Sequence, residues 1–130
     1  MPDTIMVEIA PGELLDKITI LEIKLERITD EAKLANVRVE HTSLTKTRAE
    51  ALPTSAELDD LVAQLKDVNE RLWVIEDDIR DCERAKDFGD EFVRLARAVY
   101  VSNDERAAVK RAINELLGSR LVEEKSYATY

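Results

Sequence analysis

The stretch LDDLVAQLKDVNERLWVIEDDIRDC, residues 58–82, decides the fold. Its apolar positions Leu58, Leu61, Leu65, Val68, Leu72, Ile75, Ile79 and Cys82 follow one another at steps of three and four without a fault. That spacing keeps one stripe of a helix turned toward a partner helix. Ser55 stands where a cap belongs, and Lys86-Asp87-Phe88-Gly89 reads as a C-terminus with glycine just past it. The result is a helix of about 30 residues and about 45 Å, too long to stand alone.

Upstream, Leu52-Pro53-Thr54 forces a turn, because the residue before proline is pushed out of the α region. Before the turn, Leu34, Val37, His41, Leu44, Arg48 and Ala51 form another line at helical spacing. Folded back at the Pro53-Thr54 turn, with the centre of symmetry within a residue or so of it, Ala51 faces Leu58, Leu44 faces Leu65, His41 faces Val68 and Leu34 faces Ile75. This predicts that the second and third helices form an antiparallel hairpin. His41 and Arg48 then become polar residues of its seam, with Asn69 as a hydrogen-bonding neighbour of His41.

Farther upstream, Ile5, Val7 and Ile9 alternate with Met6 and Glu8, the period of a half-buried extended segment. Pro11-Gly12 opens a first helix, with Glu13 and Asp16 where the helix dipole favours negative charge. Leu14, Ile18, Leu21, Leu25 and Ile28 line one stripe, and Leu15, Ile20 and Ile23 widen it, so this helix is expected to be buried on more than one side. At Thr29-Asp30-Glu31 either Thr29 or Asp30 suits a new cap, yet the seven-residue phase runs on through Ala32, Ala35 and Val39, and both outcomes stay open. Downstream, Asp90 is expected to cap a fourth helix carrying Phe92, Leu95, Ala96, Val99 and Tyr100 inward. Ser102-Asn103-Asp104-Glu105 should cap a fifth that Gly118 ends. The tail from Ser119 shows no helical period, and Leu121 and Val122 are its candidates for docking on the bundle or against the extended N-terminal segment. The fold class is therefore all-α: an antiparallel helical bundle built on a long coiled-coil-like hairpin, with a short extended N-terminal segment, forming one domain over residues 1–130.

Composition agrees. Of 130 residues, 36% are charged, 45% hydrophobic and 5% aromatic, with three Gly and three Pro, a balance that suits long helices and not a sheet. Uninterrupted apolar runs reach only four residues, as in Leu72-Trp73-Val74-Ile75, so no membrane span is expected. A net charge of −9 argues against a nucleic-acid partner, whose affinity rests on Lys and Arg. The single Cys cannot form an internal disulfide, and the N-terminus lacks the pattern of a signal peptide, which makes a reducing cytoplasm the expectation.

Candidate sites are sparse. His41 has no second histidine beside it and Cys82 lies far away, so metal-ligand spacing is absent and no cofactor is expected. Cys82, surrounded by Asp78, Asp81 and Glu83, is expected to be a packing residue without a lowered thiol pKa. The acidic run Glu76-Asp77-Asp78 with Asp81 reads as a solvated face, since consecutive residues on a helix diverge. Residues 88–130 carry seven basic and seven acidic residues, against five and eleven over 55–87. Arg94, Arg97, Arg106 and Lys110 are therefore the candidate anion-binding residues. Trp73 and Val74 fall off the predicted seam at mid-length, and large apolar residues there are favoured anchors between subunits, so they are the candidate interface of a homodimer or of a contact with another helical protein.

Three stretches carry a resemblance over nearly the whole chain: Pro11-Gly12-Glu13-Leu14-Leu15-Asp16-Lys17-Ile18-Thr19-Ile20-Leu21-Glu22-Ile23-Lys24, then Lys33-Leu34-Ala35-Asn36-Val37, and the run from Ala96-Arg97-Ala98-Val99-Tyr100 through Ile113-Asn114-Glu115-Leu116-Leu117-Gly118 to Lys125-Ser126-Tyr127. In these the chain resembles a family of short all-helical bacterial proteins, a domain of unknown function. That resemblance implies no activity and transfers no site. Leu14-Leu15-Asp16-Lys17-Ile18-Thr19 is also weakly similar to the first-helix pattern of the all-helical chorismate mutases, but has Leu15 in place of the substrate-binding Arg and Thr19 in place of the Asp. The expected function is a non-enzymatic helical interaction and oligomerisation module. The alternative is a small-molecule-binding or catalytic helical protein acting on an anionic metabolite through Lys17, Glu22 and the Arg94/Arg97 face.

Overall fold

The computed structural model describes residues 3–130, and among these it is all-helical: α1 (Pro11–Arg27), α2 (Glu31–Ala51), α3 (Ala56–Ala85) and α4 (Asp90–Leu116). Asp30 resolves the ambiguity after α1, because its carboxylate accepts the Lys33 N–H at 3.0 Å and starts a separate helix. The Ser55 hydroxyl accepts the Leu58 N–H at 3.0 Å and starts α3. α3 ends one residue after Ala85, on Lys86 in the left-handed conformation (φ 55°), whose N–H and that of Asp87 close on the carbonyls of Glu83 and Cys82. Gly89 is thus not the C-terminal stop of α3 but the N-cap of α4, one residue ahead of the expected Asp90.

The helices stack in three layers, with α2 on one side of α1 and the α3–α4 pair on the other. As expected, α1 is buried on more than one side: Leu14, Leu15, Ile18, Leu21 and Ile23 are all inside. Leu15 meets Leu58, Leu65, Val68 and Ile113 in the central cluster, with Leu61, Val62 and Val109 around it.

Three expectations are corrected. The long hairpin is made by α3 and α4, not α2 and α3; no Cα of α2 comes within 8 Å of α3. α4 has 27 residues against the 30 of α3 and matches its length, whereas the 21-residue α2 buries only Leu34 and Val37. The polar seam of His41, Arg48 and Asn69 therefore does not exist: His41 and Arg48 are half-buried on α2, while Asn69 turns to α1. There is also no fifth helix. Ser102-Asn103-Asp104 lie within a continuous α4 and Ser102 is buried, because weak helix formers cost only tenths of a kcal/mol (~0.5 or so) each and packing overrides them. Last, the segment before Pro11 is non-helical but not half-buried. Ile5, Met6 and Val7 stand in solvent, and the segment is tethered by an ion pair of Glu8 with Arg120 at 2.8 Å. Leu121 is half-buried in the tail, whereas Val122 is exposed.

Candidate functional site

Polar groups concentrate where the start of α1 meets α4. Ala10 offers no side chain to cap α1, and the Gly12 N–H instead donates to Asn114 Oδ1 across the interface at 2.7 Å. The two backbones approach so closely that a Cβ on Gly12 would stand 2.7 Å from the Lys110 carbonyl oxygen. One turn earlier on α4, the Lys110 ammonium, 7% exposed, contacts Glu13 at 2.7 Å and Glu123 of the tail at 2.9 Å. Burial alone would lower the Lys110 pKa, but the hydrogen bonds it donates to the Glu13 and Glu123 carboxylates outweigh it and hold the ammonium above its ordinary value. The same contact with Lys110 pulls the Glu123 carboxyl below its ordinary value.

A lowered carboxyl pKa contributes stability that is present above the unfolded-state value, about 4.3 for Glu, and is lost as pH falls through the folded one. Glu123→Gln is therefore expected to cost up to about 1 kcal/mol at neutral pH, a modest sum because Glu123 is half-exposed. The gap should close in acid, once the wild-type carboxyl is itself protonated. Urea unfolding of the pair across this pH range checks it, and a gap that persists at pH 2 would show that the contact is not ionic.

Deeper in the layer, Asn69 of α3 donates from Nδ2 to Asp16 Oδ1 at 2.9 Å and to Thr19 Oγ1 at 3.0 Å, and the Thr19 hydroxyl donates to the Asp16 carbonyl at 2.8 Å. All three side chains are buried and no buried side-chain polar atom among the described residues lacks a partner. The arrangement fixes α1 against α3.

Beyond Asn69 an open groove of about 590 Å³ runs between α1, α3 and α4. Ile20, Ile23 and Leu72 form its floor, with Trp73, Asn69, Asn103 and Arg106 along it. Arg80 at one end is committed to the Glu76 carboxylate on its own helix. On the other side of α3 a second groove, of about 620 Å³, holds Val74, Ile75, Leu95, Ala98 and Val101 between charges of both signs. Trp73 and Val74 thus open into different grooves.

The structure does not gather the expected anion-binding residues. Arg94 is paired with Glu91, Arg97 lies exposed beside Val93 and Val101, Arg106 faces the Trp73 groove and Lys110 is occupied by two carboxylates. Sixteen positions of one helix separate the first from the last, roughly 24 Å. Leu15 lies in the core and Thr19 is tied to Asn69, so the first helix builds no anion clamp of the chorismate-mutase kind. Half-burial and the carboxylates of Asp87, Glu91, Asp81 and Asp78 push the Cys82 thiol up, the wrong direction for a nucleophile, in line with its sequence context. Among the described residues no group of His, Cys, Asp and Glu is arranged to hold a metal ion, and no helix is long and apolar enough to cross a membrane.

No curated protein and no solved structure matches the chain. A family model does match it, over residues 5–130, which takes in the Pro11-Gly12 turn, the Asp16–Asn69 layer and the Trp73 groove. The chain belongs to DUF6165, a family of unknown function.

Proposed function

We propose that this chain is a non-enzymatic helical interaction module that self-associates as a two-fold dimer in the reducing cytoplasm. The observation that carries this is the uncovered apolar face on the outer side of the α3–α4 hairpin. There Val74 is 43% exposed and Val101 39%, the groove between them is floored by Ile75, Leu95 and Ala98, and Val93, 51% exposed, lines the adjoining hollow with Ala98 and Val101. Of α1 only its last residue, Arg27, reaches this groove and no residue of α2 lines it, and the flanking charges are mixed: Arg27, Arg71 and Arg94 against Asp67, Glu70, Asp78 and Glu105. A patch with both signs around an apolar centre is complementary to its own copy turned by a two-fold rotation, and symmetric pairs are the commonest oligomers. Of the two expected anchors, Val74 sits at this centre. Trp73 opens into the groove on the opposite side of α3 and stands outside this contact.

A contact of this kind should bury more than about 1,000 Å² in total. Sedimentation of the wild type at micromolar to 100 µM concentration is expected to show a monomer–dimer equilibrium. The double variant Val74→Glu/Val101→Glu, altered only at exposed positions, should remain folded and sediment as a monomer. A wild type that is monomeric throughout, or a double variant with the same dissociation constant, would overturn the proposal.

A further inference from the structure

We infer that the groove beside Trp73 binds a small aromatic monocarboxylate, held by the guanidinium of Arg106. Arg106 is half-buried, yet among the described residues it alone of the groove's cations has no carboxylate within 4.0 Å: Arg80 is bound to Glu76, and Glu123, near enough to feel the Arg106 charge, is taken by Lys110. A guanidinium partly withdrawn from water and left without an acid, in a chain with 28 acidic residues, presents an open two-pronged donor set. That fork matches a planar carboxylate.

The rest of the groove selects among anions. Glu76 and Asp77 on its rim disfavour a dianion such as a phosphate monoester, whereas a single negative charge is matched by Arg106, the one arginine of this groove that holds no carboxylate among the described residues. The floor of Ile20 and Leu72 and the ring of Trp73 suit a flat apolar body. Asn69 gives both Nδ2 hydrogens to Asp16 and Thr19, so its orientation is fixed and what it has left for the groove is its carbonyl oxygen, an acceptor for a ligand hydroxyl. A volume of about 590 Å³ is within the usual range for small-molecule sites. The inference is independent of the dimer, because this groove lies on the opposite side of α3 from Val74.

Trp73 is the only tryptophan, so its emission reports the groove directly. 3-Phenyllactate serves as the probe, 3-phenyl-1,2-propanediol, which keeps the 2-hydroxyl, as its uncharged counterpart and phenyl phosphate as the dianion. Saturable quenching by 3-phenyllactate is expected with a Kd of about 1 mM, the scale for a ligand of about a dozen heavy atoms. Phenyl phosphate and 3-phenyl-1,2-propanediol should each bind at least about tenfold more weakly, and Arg106→Gln should raise the 3-phenyllactate Kd by about tenfold or more while thermal unfolding is unchanged. If Arg106→Gln fails to fold, Arg106→Lys supplies the comparison, since it keeps the charge and loses the fork. Absence of saturation, an unaltered Kd in the arginine variant that folds, or tighter binding of phenyl phosphate would overturn the assignment.

Discussion

Gly12→Ala is expected to destabilise the protein by about 2 to 3 kcal/mol, although alanine is the better helix former by about 1 kcal/mol. Gly12 is buried in the first turn of α1, and an added Cβ meets the Lys110 carbonyl oxygen at 2.7 Å and Asn114 Oδ1 at 2.9 Å. Asn114 is a side chain and can turn away, but then the Gly12 N–H loses its acceptor. The Lys110 carbonyl belongs to the backbone of a 27-residue helix and cannot yield without moving α4. The variant must therefore separate α1 from α4, which also loosens the contact of Glu13 with Lys110 and the packing of Leu15 on Ile113. Chemical denaturation of the wild type and variant measures the loss. Equal stability, or a gain of the size alanine gives in an exposed helix, would show that the close approach of α1 to α4 is absent in solution.

Much of this architecture was legible in the sequence, and the failures have physical causes. The unbroken stripe from Leu58 to Cys82 and the cap at Ser55 involve residues close together in the chain, so spacing alone exposes them, whereas after α1 spacing left the break and the choice between Thr29 and Asp30 open. The partner of α3 is a different matter. Any two stripes with a seven-residue phase can be set in register about the turn between them, and the pair α3–α4 about Phe88-Gly89 satisfies that condition as well as α2–α3 about Thr54-Ser55. What decides between them is how much apolar surface each candidate offers over its whole length, and α2, with Val39 in solvent and His41 and Arg48 in its inner line, offers too little. The Lys86 stop was hidden because a left-handed residue need not be glycine when the surrounding turn holds it. The Gly12–Asn114 contact spans 102 positions and leaves no periodic trace. A signal for the deeper polar layer was present all the same: Asp16 and Thr19 stand three apart on the side of α1 that also carries Leu15 and Ile23, and two polar residues in a buried stripe require a partner.

That partner is Asn69, and removing it is expected to have the larger effect. Asn69→Leu replaces a residue 5% exposed with one of similar size, so packing is nearly kept and the change falls on Asp16, also 5% exposed, which loses its side-chain donor on α3. A buried carboxylate stripped of its partner is destabilised by about 3 to 5 kcal/mol, and the field of Lys110, which reaches Asp16, moves the expected loss toward the lower end of that range. Thr19 loses a donor at the same time, though its hydroxyl retains the Asp16 carbonyl. The double variant Asp16→Leu/Asn69→Leu should recover most of the stability, because an apolar pair of matched volume has no charge to desolvate. The two energies are therefore expected to be strongly non-additive, with an interaction of at least about 2 kcal/mol in a double-mutant cycle. Additive losses would mean that Asp16 and Asn69 do not meet. If the cycle closes as expected, the polar layer serves to set register: α1 presents Leu14, Leu15, Ile18, Leu21 and Ile23 around much of its circumference, a surface that α3 and α4 could grip in more than one rotation, and the one rotation that unites Asp16 and Thr19 with Asn69 excludes the others. The double variant should then keep its helical content while its amide NMR spectrum broadens or multiplies, and a single sharp set of resonances would locate the specificity of the α1 packing elsewhere, in the Gly12–Asn114 contact.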